Sequence, residues 1–344
     1  MSRVFEALCA HLKTHPEAEV QDAVKFLYQA SFGGSHFLSD PDGAYLYLLK
    51  EAEIANLDAP YTEALGEQYA RINLSALQEL SPKTLFAMFK ASSEDTPTDK
   101  TAFLSLLDEL ENADLFDKSE NAAFLKSYRA AGCPAVHHSE AYRRAYYPAY
   151  RVVKKAYTDF LQAFIAIDKL TAEKAPVTVA IDGLCGSGKT TFAALLQSVY
   201  DCNLFHADDF YLPMPMRTPE RYATPGGNVY WERILSDILE QIPKNESFSY
   251  RVFDCGVMDL GDAVQVTPKT LNILEGSYST HPELIGRYDL KIFLKTSPET
   301  QSARILKRNG PARHKMFVEK WIPLENLYFT SYPVEKQCDL VFTT

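Results

Sequence analysis

Several features that would set the class of this protein are missing from its sequence. The six cysteines are scattered and form no C-x-x-C pair, a usage that favours reduced thiols. No apolar stretch approaches the roughly 20 residues needed to span a bilayer. The first residues also lack the charged-then-apolar order of a signal peptide. From these absences we expect a cytoplasmic protein that does not enter a membrane.

The chain also lacks an excess of basic residues, since its formal net charge is −10 over 344 residues. This balance argues against a general binder of nucleic acid or of anionic membranes, but it leaves room for a local basic site. Hydrophobic residues make up 46% of the chain and charged residues 23%, so both halves can form a core. The length favours two domains.

The hydrophobic periodicity changes near residue 172. Before about residue 168, apolar residues recur three and four positions apart, as in helices, and convincing strand alternation is absent. The polar segment 171–176 ends in proline and resembles a short linker. We therefore predict an all-helical (all-α) N-terminal domain over residues 1–172 and a different domain over residues 173–344.

The second domain alternates short apolar runs with helical patterns, which is typical of parallel strands joined by crossover helices. The pattern predicts a three-layer α/β sandwich with a parallel sheet. The predicted strands are 177–182, 203–207, 249–254, 270–275, 289–295 and 339–343, and the predicted helices are 190–200, 229–241, 298–309 and 316–329.

Residues 183–190 read GLCGSGKT and fit G-x-x-x-x-G-K-[ST], between a predicted buried strand and a predicted helix. In this context the pattern predicts a P-loop NTPase that binds a nucleoside triphosphate, because glycines and the helix N-terminus direct N–H groups at phosphate oxygens. Lys189 would stabilise the transferring phosphoryl group and Thr190 would ligate Mg²⁺. The residues predicted to hold the nucleotide are Gly183, Gly186, Ser187, Gly188, Lys189, Thr190 and Thr191.

An acidic pair follows the next predicted strand, in the run HADDFY at residues 206–211. Carboxylates at the carboxyl end of a parallel strand point into the ligand crevice. Asp208 could accept a proton from a substrate hydroxyl or hold Mg²⁺ through water. The alternative is that Asp208 and Asp209 only cap the following turn.

The order of these motifs resembles the uridine kinase and phosphoribulokinase family. The phosphate loop is followed by D-x-F-Y at 208–211, by a proline-containing segment at 224–228 and by a strand ending in E-G at 273–276. A strand at 291–294 and an arginine-bearing helix at 304–308 also match. The resemblance covers about residues 176–344.

The resemblance implies ATP and Mg²⁺ as cofactors, Asp208 as the general base and Glu275 as an acid acting on the metal. An acid that caps a helix is the alternative for Glu275. The family also carries a basic lid, for which Arg304, Arg308 and Arg313 are the candidates. Arg304 and Arg308 are four residues apart and share a helix face, although either could be a solvated surface charge. Residues 309–311 should break this helix and leave Arg313 on a mobile segment.

One position departs from the family. After the proline segment, members of the family carry an aspartate whose carboxylate binds sugar hydroxyls. In this chain Tyr230 lies near that position. A tyrosine cannot accept two vicinal hydroxyls as a carboxylate does, and spacing does not show whether Glu232 or Asn228 replaces it. We therefore predict phosphorylation of a small nucleoside- or sugar-like metabolite, with Asp208, Tyr211 and Tyr230 as candidate substrate contacts.

Two polar clusters lie in the N-terminal half. Residues 29–36 place paired glycines and a histidine after an amphipathic helix, and residues 136–151 combine histidines, arginines and tyrosines. They predict either a second site, where arginines clamp an anion and tyrosines stack on a ligand or RNA, or a capped helix that enters a proline kink. A zinc site built from His36, His137, His138 and Glu140 is a further alternative.

Two functions follow from these features. The first is an ATP-dependent kinase that acts on an alcohol group of a small molecule. The alternative is a nucleotide-switched regulatory protein, in which the N-terminal domain captures RNA or another ligand and ATP hydrolysis gates it. The negative net charge and the D-x-F-Y element favour the kinase. Nucleic acid stays an open alternative for the N-terminal domain alone, and a homo-oligomer is compatible with the sequence.

Overall fold

The computed structural model describes residues 2–35, 38, 40–94, 96–97, 99–254 and 256–344. The chain divides into two compact units, Met1–Leu161 and Gln162–Thr344, each with its own hydrophobic core. The boundary predicted after residue 172 lies near the end of a helix, Leu161–Glu173. Among the described residues, no helix combines the length and the apolarity that a membrane crossing requires.

Helices make up most of the N-terminal unit, as predicted. Short polar side chains accept backbone N–H groups at the start of several of them, for example Ser2, Asp40 and Ser139. The helices are α1 (Arg3–Thr14), α2 (Val20–Phe32), α3 (Pro41–Ala52), α4 (Pro82–Ser93), α5 (Thr101–Asn112), α6 (Lys118–Ala130), α7 (Glu140–Tyr146) and α8 (Lys155–Asp159). Helix α2 packs against α1, α5 and α6 in the centre of the core.

The prediction that this unit is entirely helical was wrong, because it also contains a three-stranded antiparallel sheet. The strands are β1 (Thr62–Ala64), β2 (Tyr69–Asn73) and β3 (Tyr150–Lys154), in that order. Strand β2 is buried on both faces and includes the charged Arg71, so it lacks the alternation of a half-buried strand. Its partner β3 is far away in sequence, and neither strand gave a local signal.

The C-terminal unit alternates strands and helices. Its elements are α9 (Leu161–Glu173), β4 (Val177–Gly183), α10 (Lys189–Gln197), β5 (Cys202–His206), α11 (Pro219–Ala223), α12 (Trp231–Arg233), β6 (Phe248–Asp254), β7 (Asp259–Val266), β8 (Leu271–Glu275), β9 (Leu290–Lys295), α13 (Pro298–Met316), α14 (Ile322–Ser331), α15 (Val334–Gln337) and β10 (Leu340–Thr343).

A five-stranded parallel sheet forms the centre of this unit, in the order β10-β9-β4-β8-β5. Strands β4 and β8 are buried along their whole length, as continuous apolar strands are when both faces of a parallel sheet are covered. This architecture confirms the predicted α/β sandwich. The carboxyl ends of β4, β5 and β8 meet at one edge of the sheet, which is where ligands bind in open α/β sheets.

Three details differ from the predicted pattern. Residues 249–254 are not in the parallel sheet, since β6 pairs with β7 in a separate antiparallel hairpin. The predicted helix 229–241 consists of α12 followed by a π-helical segment, Ile234–Leu239. The predicted break at residues 309–311 is present, since the non-helical Gly310 separates two helical segments of α13 at a kink, but Arg313 lies in the second helical segment and not on a loop.

Candidate active site

The phosphate-loop motif connects β4 to α10 in a conformation that depends on its glycines. Gly188 immediately precedes α10 and has φ +93°, a region that side chains other than glycine rarely adopt. A Cβ atom at Gly183 would lie 2.0 Å from the carbonyl oxygen of Leu294, so β4 and β9 can be this close only with glycine there. The loop therefore turns tightly from the end of β4 into the N-terminus of α10.

The ammonium group of Lys189 lies inside this loop. Its Nζ atom donates to the carbonyl oxygens of Gly183 and Leu184, at 2.8 and 2.9 Å, and to Ser277 Oγ at 3.2 Å. The side chain is buried, yet it contacts carbonyl and hydroxyl oxygens and not a carboxylate. These dipoles hold the ammonium group in place without a direct ion pair among the described residues.

Thr190, Glu275 and His206 form a hydrogen-bonded group at the edge of the sheet. Thr190 Oγ1 donates to Glu275 Oε1 at 3.1 Å, and the same oxygen is 2.7 Å from His206 Nδ1. The hydrogen bond to Glu275 raises the pKa of His206, against the opposing effect of burial. His206 and Glu275 are paired in register on neighbouring strands, so the sheet itself places them side by side. Sequence reasoning missed His206, although it directly precedes the acidic run.

Asp208 follows β5 in a short 3-10 turn, Ala207–Asp209. Its side chain is open to solvent but lies in a cleft crowded by protein atoms, and the resulting loss of hydration raises its pKa. Lys189 opposes this shift, whereas the carboxylates of Glu275 and Glu325 add to it. Within the described residues, Asp208 makes no side-chain hydrogen bond that would occupy its oxygens.

These groups surround one cavity of about 170 Å³, which we call the phosphate-loop cavity. Of the residues predicted from the sequence, those that line it are Gly186, Gly188, Lys189, Thr190, Thr191, Asp208, Tyr211, Glu275 and Arg308. The structure thus brings the predicted nucleotide, metal and base residues together. Trp321, Asn228 and Glu325 are among the other residues that line the cavity.

Other predicted residues lie outside the cavity. Gly183 and Ser187 support the loop from behind, and Ser187 Oγ is buried without a hydrogen-bond partner in the part of the chain that the structure describes. Arg304 is exposed and donates to Gly186 O and to Thr344 Oγ1. Tyr230 does not face the cavity; its N–H group donates to the Phe210 carbonyl oxygen.

Glu232, the acidic residue nearest to Tyr230 in sequence, is bound to Arg221. Both of its carboxylate oxygens accept hydrogen bonds from the Arg221 guanidinium, at 2.6 and 2.8 Å. Asn228 is the buried polar residue of this segment in the cavity wall. Of the two candidate replacements for the family's aspartate, only Asn228 therefore reaches the site.

Glu325 is a second residue that sequence reasoning missed. Its carboxylate accepts the Cys185 N–H at 2.9 Å and the Ser277 hydroxyl at 2.7 Å. It belongs to α14, which follows the arginine-bearing α13 in sequence. A buried carboxylate that contacts the phosphate loop shows that α14 also shapes the site.

Asp182, near the end of β4, holds the backbone beside the phosphate loop in place through hydrogen bonds. It is fully buried beside the loop and accepts from the Gly183 N–H at 2.6 Å and from the Thr280 hydroxyl at 2.6 Å. The backbone N–H groups of Tyr278 and Thr280 donate to it as well. Burial raises the pKa of this carboxyl. Asp182 therefore fixes the segment after β8 against the end of β4.

The predicted zinc ligands are not brought together by the described part of the N-terminal unit. His36 lies outside the described residues. Both ring nitrogens of His138 are already engaged, Nδ1 by Asp22 and Nε2 by the Tyr150 hydroxyl, each at 2.7 Å. The His, Asp and Glu side chains that do cluster there are His11, His15 and Glu63, and the Glu63 carboxylate is paired with Arg71.

Comparison with known proteins gives the class of the C-terminal unit. No model of a protein family matches the chain. A uridine kinase of Ureaplasma parvum serovar 3 is 26% identical over 155 residues, which cover 42% of this chain and 74% of the relative. A uridine kinase of Ureaplasma urealyticum serovar 10 is 25% identical over the same length.

Solved structures with some likeness include a possible uridine kinase from Bacillus stearothermophilus, with 20% identity and a TM-score of 0.38 over 53% of this chain and 99% of that chain. A shikimate kinase from Bacteroides thetaiotaomicron has 14% identity and a TM-score of 0.27 over 48% and 85%. With the sequence similarity, the phosphate loop and the parallel sheet, the C-terminal unit is a P-loop kinase region. Within that class the region is uridine kinase-like, which confirms the resemblance seen in the sequence.

Proposed function

We propose that the protein is an ATP-dependent kinase that transfers the γ-phosphoryl group to a hydroxyl of a small nucleoside- or sugar-like metabolite. The observation that carries this proposal is the shared cavity, in which a phosphate loop, a hydroxyl–carboxylate pair and a carboxylate with a raised pKa meet. The relatives named uridine kinase support the same reaction class.

The donor set fits a magnesium nucleotide. Loop N–H groups, the helix N-terminus and the Lys189 ammonium suit a polyphosphate. The Thr190 hydroxyl and the Glu275 carboxylate are hard oxygen ligands of the kind that Mg²⁺ prefers, and His206 orients the carboxylate. When bound, the metal would neutralise charge on the phosphate oxygens. Lys189 and Arg308, which line the cavity, would stabilise negative charge on the transferring group.

Asp208 is the proposed general base. As the acceptor oxygen forms its bond to the γ-phosphorus and the bond to the β-phosphate oxygen breaks, the hydroxyl proton passes to the Asp208 carboxylate. A raised pKa makes this carboxylate a stronger base than an ordinary aspartate. Asp208 lines the same cavity as the phosphate loop, which supports this role.

Where the family carries a sugar-binding aspartate after the proline segment, this chain has Asn228 in the cavity wall and Tyr230 outside the lining. Tyr211, Asn228 and Trp321 line the cavity there, and Glu232 is paired with Arg221. We therefore propose a small acceptor whose hydroxyl is bound by Asp208 and held by amide and aromatic groups. Uridine is one member of this class and is not singled out by these contacts.

The test is a screen of purified full-length protein with ATP, Mg²⁺ and a library of nucleosides, sugars and polyols, with phosphorylated products identified by mass spectrometry. We expect at least one product, and we expect Lys189→Ala to abolish it. ATP that is consumed by water alone, with no phosphorylated acceptor from any class, would contradict the kinase and favour the nucleotide-switched alternative.

A further inference from the structure

The N-terminal unit contains a cavity that is larger than the phosphate-loop cavity. It measures about 530 Å³ and lies among α2, α3, α7 and β3; we call it the N-terminal cavity. Its size falls within the range typical of small-molecule sites. The side chains that matter for its chemistry are Lys25, Tyr47, Arg143 and Tyr147.

A rigid polar network forms one wall of this cavity. Asp22 bonds His138 Nδ1, His138 Nε2 bonds the Tyr150 hydroxyl, and Gln29 connects that hydroxyl to Arg71. Burial lowers the pKa of His138 to about 3, so the ring is neutral at physiological pH. Because these groups satisfy one another, the wall is fixed and gives the cavity little net charge of its own.

Among the described residues that line the cavity, three basic side chains (Lys25, Arg143 and Arg151) outnumber two carboxylates (Asp40 and Glu51). Glu51 is bound to Arg151 at 2.7 Å, and Asp40 accepts the Gly43 N–H at the start of α3. Arg143 is exposed and forms no ion pair in the portion of the chain that the structure describes.

Lys25 adds a second cation on the same side. It is buried and donates to the Val136 carbonyl oxygen at 3.0 Å. Burial, followed by Arg71 and Arg143, lowers the pKa of Lys25 to about 8, so it is still mainly protonated at neutral pH. An anionic group in the cavity would relieve the repulsion between these cations.

Two tyrosines add flat apolar faces near these cations. Tyr47 and Tyr147 line the cavity with 60% and 70% of their surface exposed. Tyr147 also has φ +46° at the end of α7, a conformation that bulky residues rarely adopt and that concentrates at functional sites. Exposed aromatic rings such as these are suited to stacking on a planar group.

We propose that the N-terminal cavity binds a small organic anion with a planar ring, its anionic group held by Lys25 and Arg143 and its ring placed against Tyr47 and Tyr147. The anionic group is a carboxylate or a phosphate, both of which suit a guanidinium. This site is separate from the kinase cavity, and it does not depend on the proposed reaction.

The test is isothermal titration calorimetry of the full-length protein with uridine 5′-monophosphate, adenosine 5′-monophosphate and benzoate, which carry both a ring and an anionic group. Uridine, adenosine and inorganic phosphate each lack one of the two. We expect at least one of the first three ligands to bind and its affinity to fall about tenfold or more in Arg143→Ala. Arg144→Ala is the matched control, because Arg144 is the exposed neighbour outside the cavity lining.

Tyr147→Ala provides a second variant, and we expect it to weaken binding about fivefold or more through the lost stacking face. Both substitutions are at exposed positions, so the fold should persist. The proposal is overturned if none of the three ring-bearing anions binds. It is also overturned if Arg143→Ala and Arg144→Ala give the same binding heat as the unsubstituted protein, because that heat would then come from the C-terminal unit. Inorganic phosphate that binds as tightly as the monophosphates would refute the planar ring.

Discussion

The general base offers the sharpest test of the proposed kinase. Asparagine at position 208 keeps the size of aspartate and one acceptor oxygen, so Asp208→Asn should still position the acceptor hydroxyl but cannot take its proton. General-base catalysis contributes about 10²- to 10⁴-fold, or about 2.7 to 5.4 kcal/mol of barrier, and kcat should fall by that factor. Binding of ATP should be unchanged or tighter, because the substitution removes a negative charge from beside Lys189.

The pH profile separates this role from a merely structural one. A base acts when deprotonated, so activity is present above the pKa of Asp208 and is lost as pH falls through it. Because that pKa is raised, the acid limb of kcat should lie above the range of an ordinary aspartate, and Asp208→Asn should abolish it.

The assay is initial-rate ADP release with the acceptor found by the screen, measured across pH. Asp209→Asn is the matched control, because Asp209 is the adjacent acid but does not line the cavity. The reasoning is refuted if Asp208→Asn stays within a few-fold of wild type, or if Asp209→Asn loses as much activity as Asp208→Asn.

Two further predictions concern the lid and the N-terminal unit. Arg308 lines the phosphate-loop cavity and Arg304 does not, so Arg308→Ala should lower kcat about 10²-fold and Arg304→Ala much less; equal losses would contradict this. In the N-terminal unit, burial lowers the pKa of His138 to about 3, and Glu63, despite its burial, has a pKa of about 2 because Arg71 stabilises its charged form. Because both pKa values are lower in the folded protein, the unfolded chain takes up protons at a higher pH than the folded chain does. The stability that these groups contribute is therefore present above their unfolded pKa values, and it is lost as the pH falls towards their folded pKa values. The Tm of the full chain should therefore drop on acidification from about pH 7 to about pH 4. If His138→Gln shows an equal drop, His138 does not contribute to this loss of stability.

Much of the C-terminal unit could be predicted because its signals are local. The strand before the phosphate loop, the loop itself and the following helix are contiguous, and each has its own residue pattern. The role of Glu275 comes from the family resemblance at the strand that ends in E-G, and it stays a prediction. The parallel direction of the sheet strands could be predicted because strands and helices alternate along the chain.

The features that were missed depend on contacts between distant segments. Strand β2 pairs with β3 from the other end of its unit, and Arg71 is buried there only because Gln29 and Glu63 receive its donors. Glu325 reaches Cys185 across 140 positions of sequence. No local pattern records such partners, so a charged residue in a core is easily mistaken for a surface residue.

The pairing of His206 with Glu275 has a consequence for how this site can change over time. Both residues end strands of the central sheet, so their separation is set by the backbone ladder. Tyr211, Asn228 and Trp321, in contrast, come from connecting segments and from a π-helical stretch. Substitutions in the loops can thus change which alcohol is accepted, while the strands keep the triphosphate-binding residues in position. This arrangement favours divergence in substrate specificity over divergence in reaction chemistry.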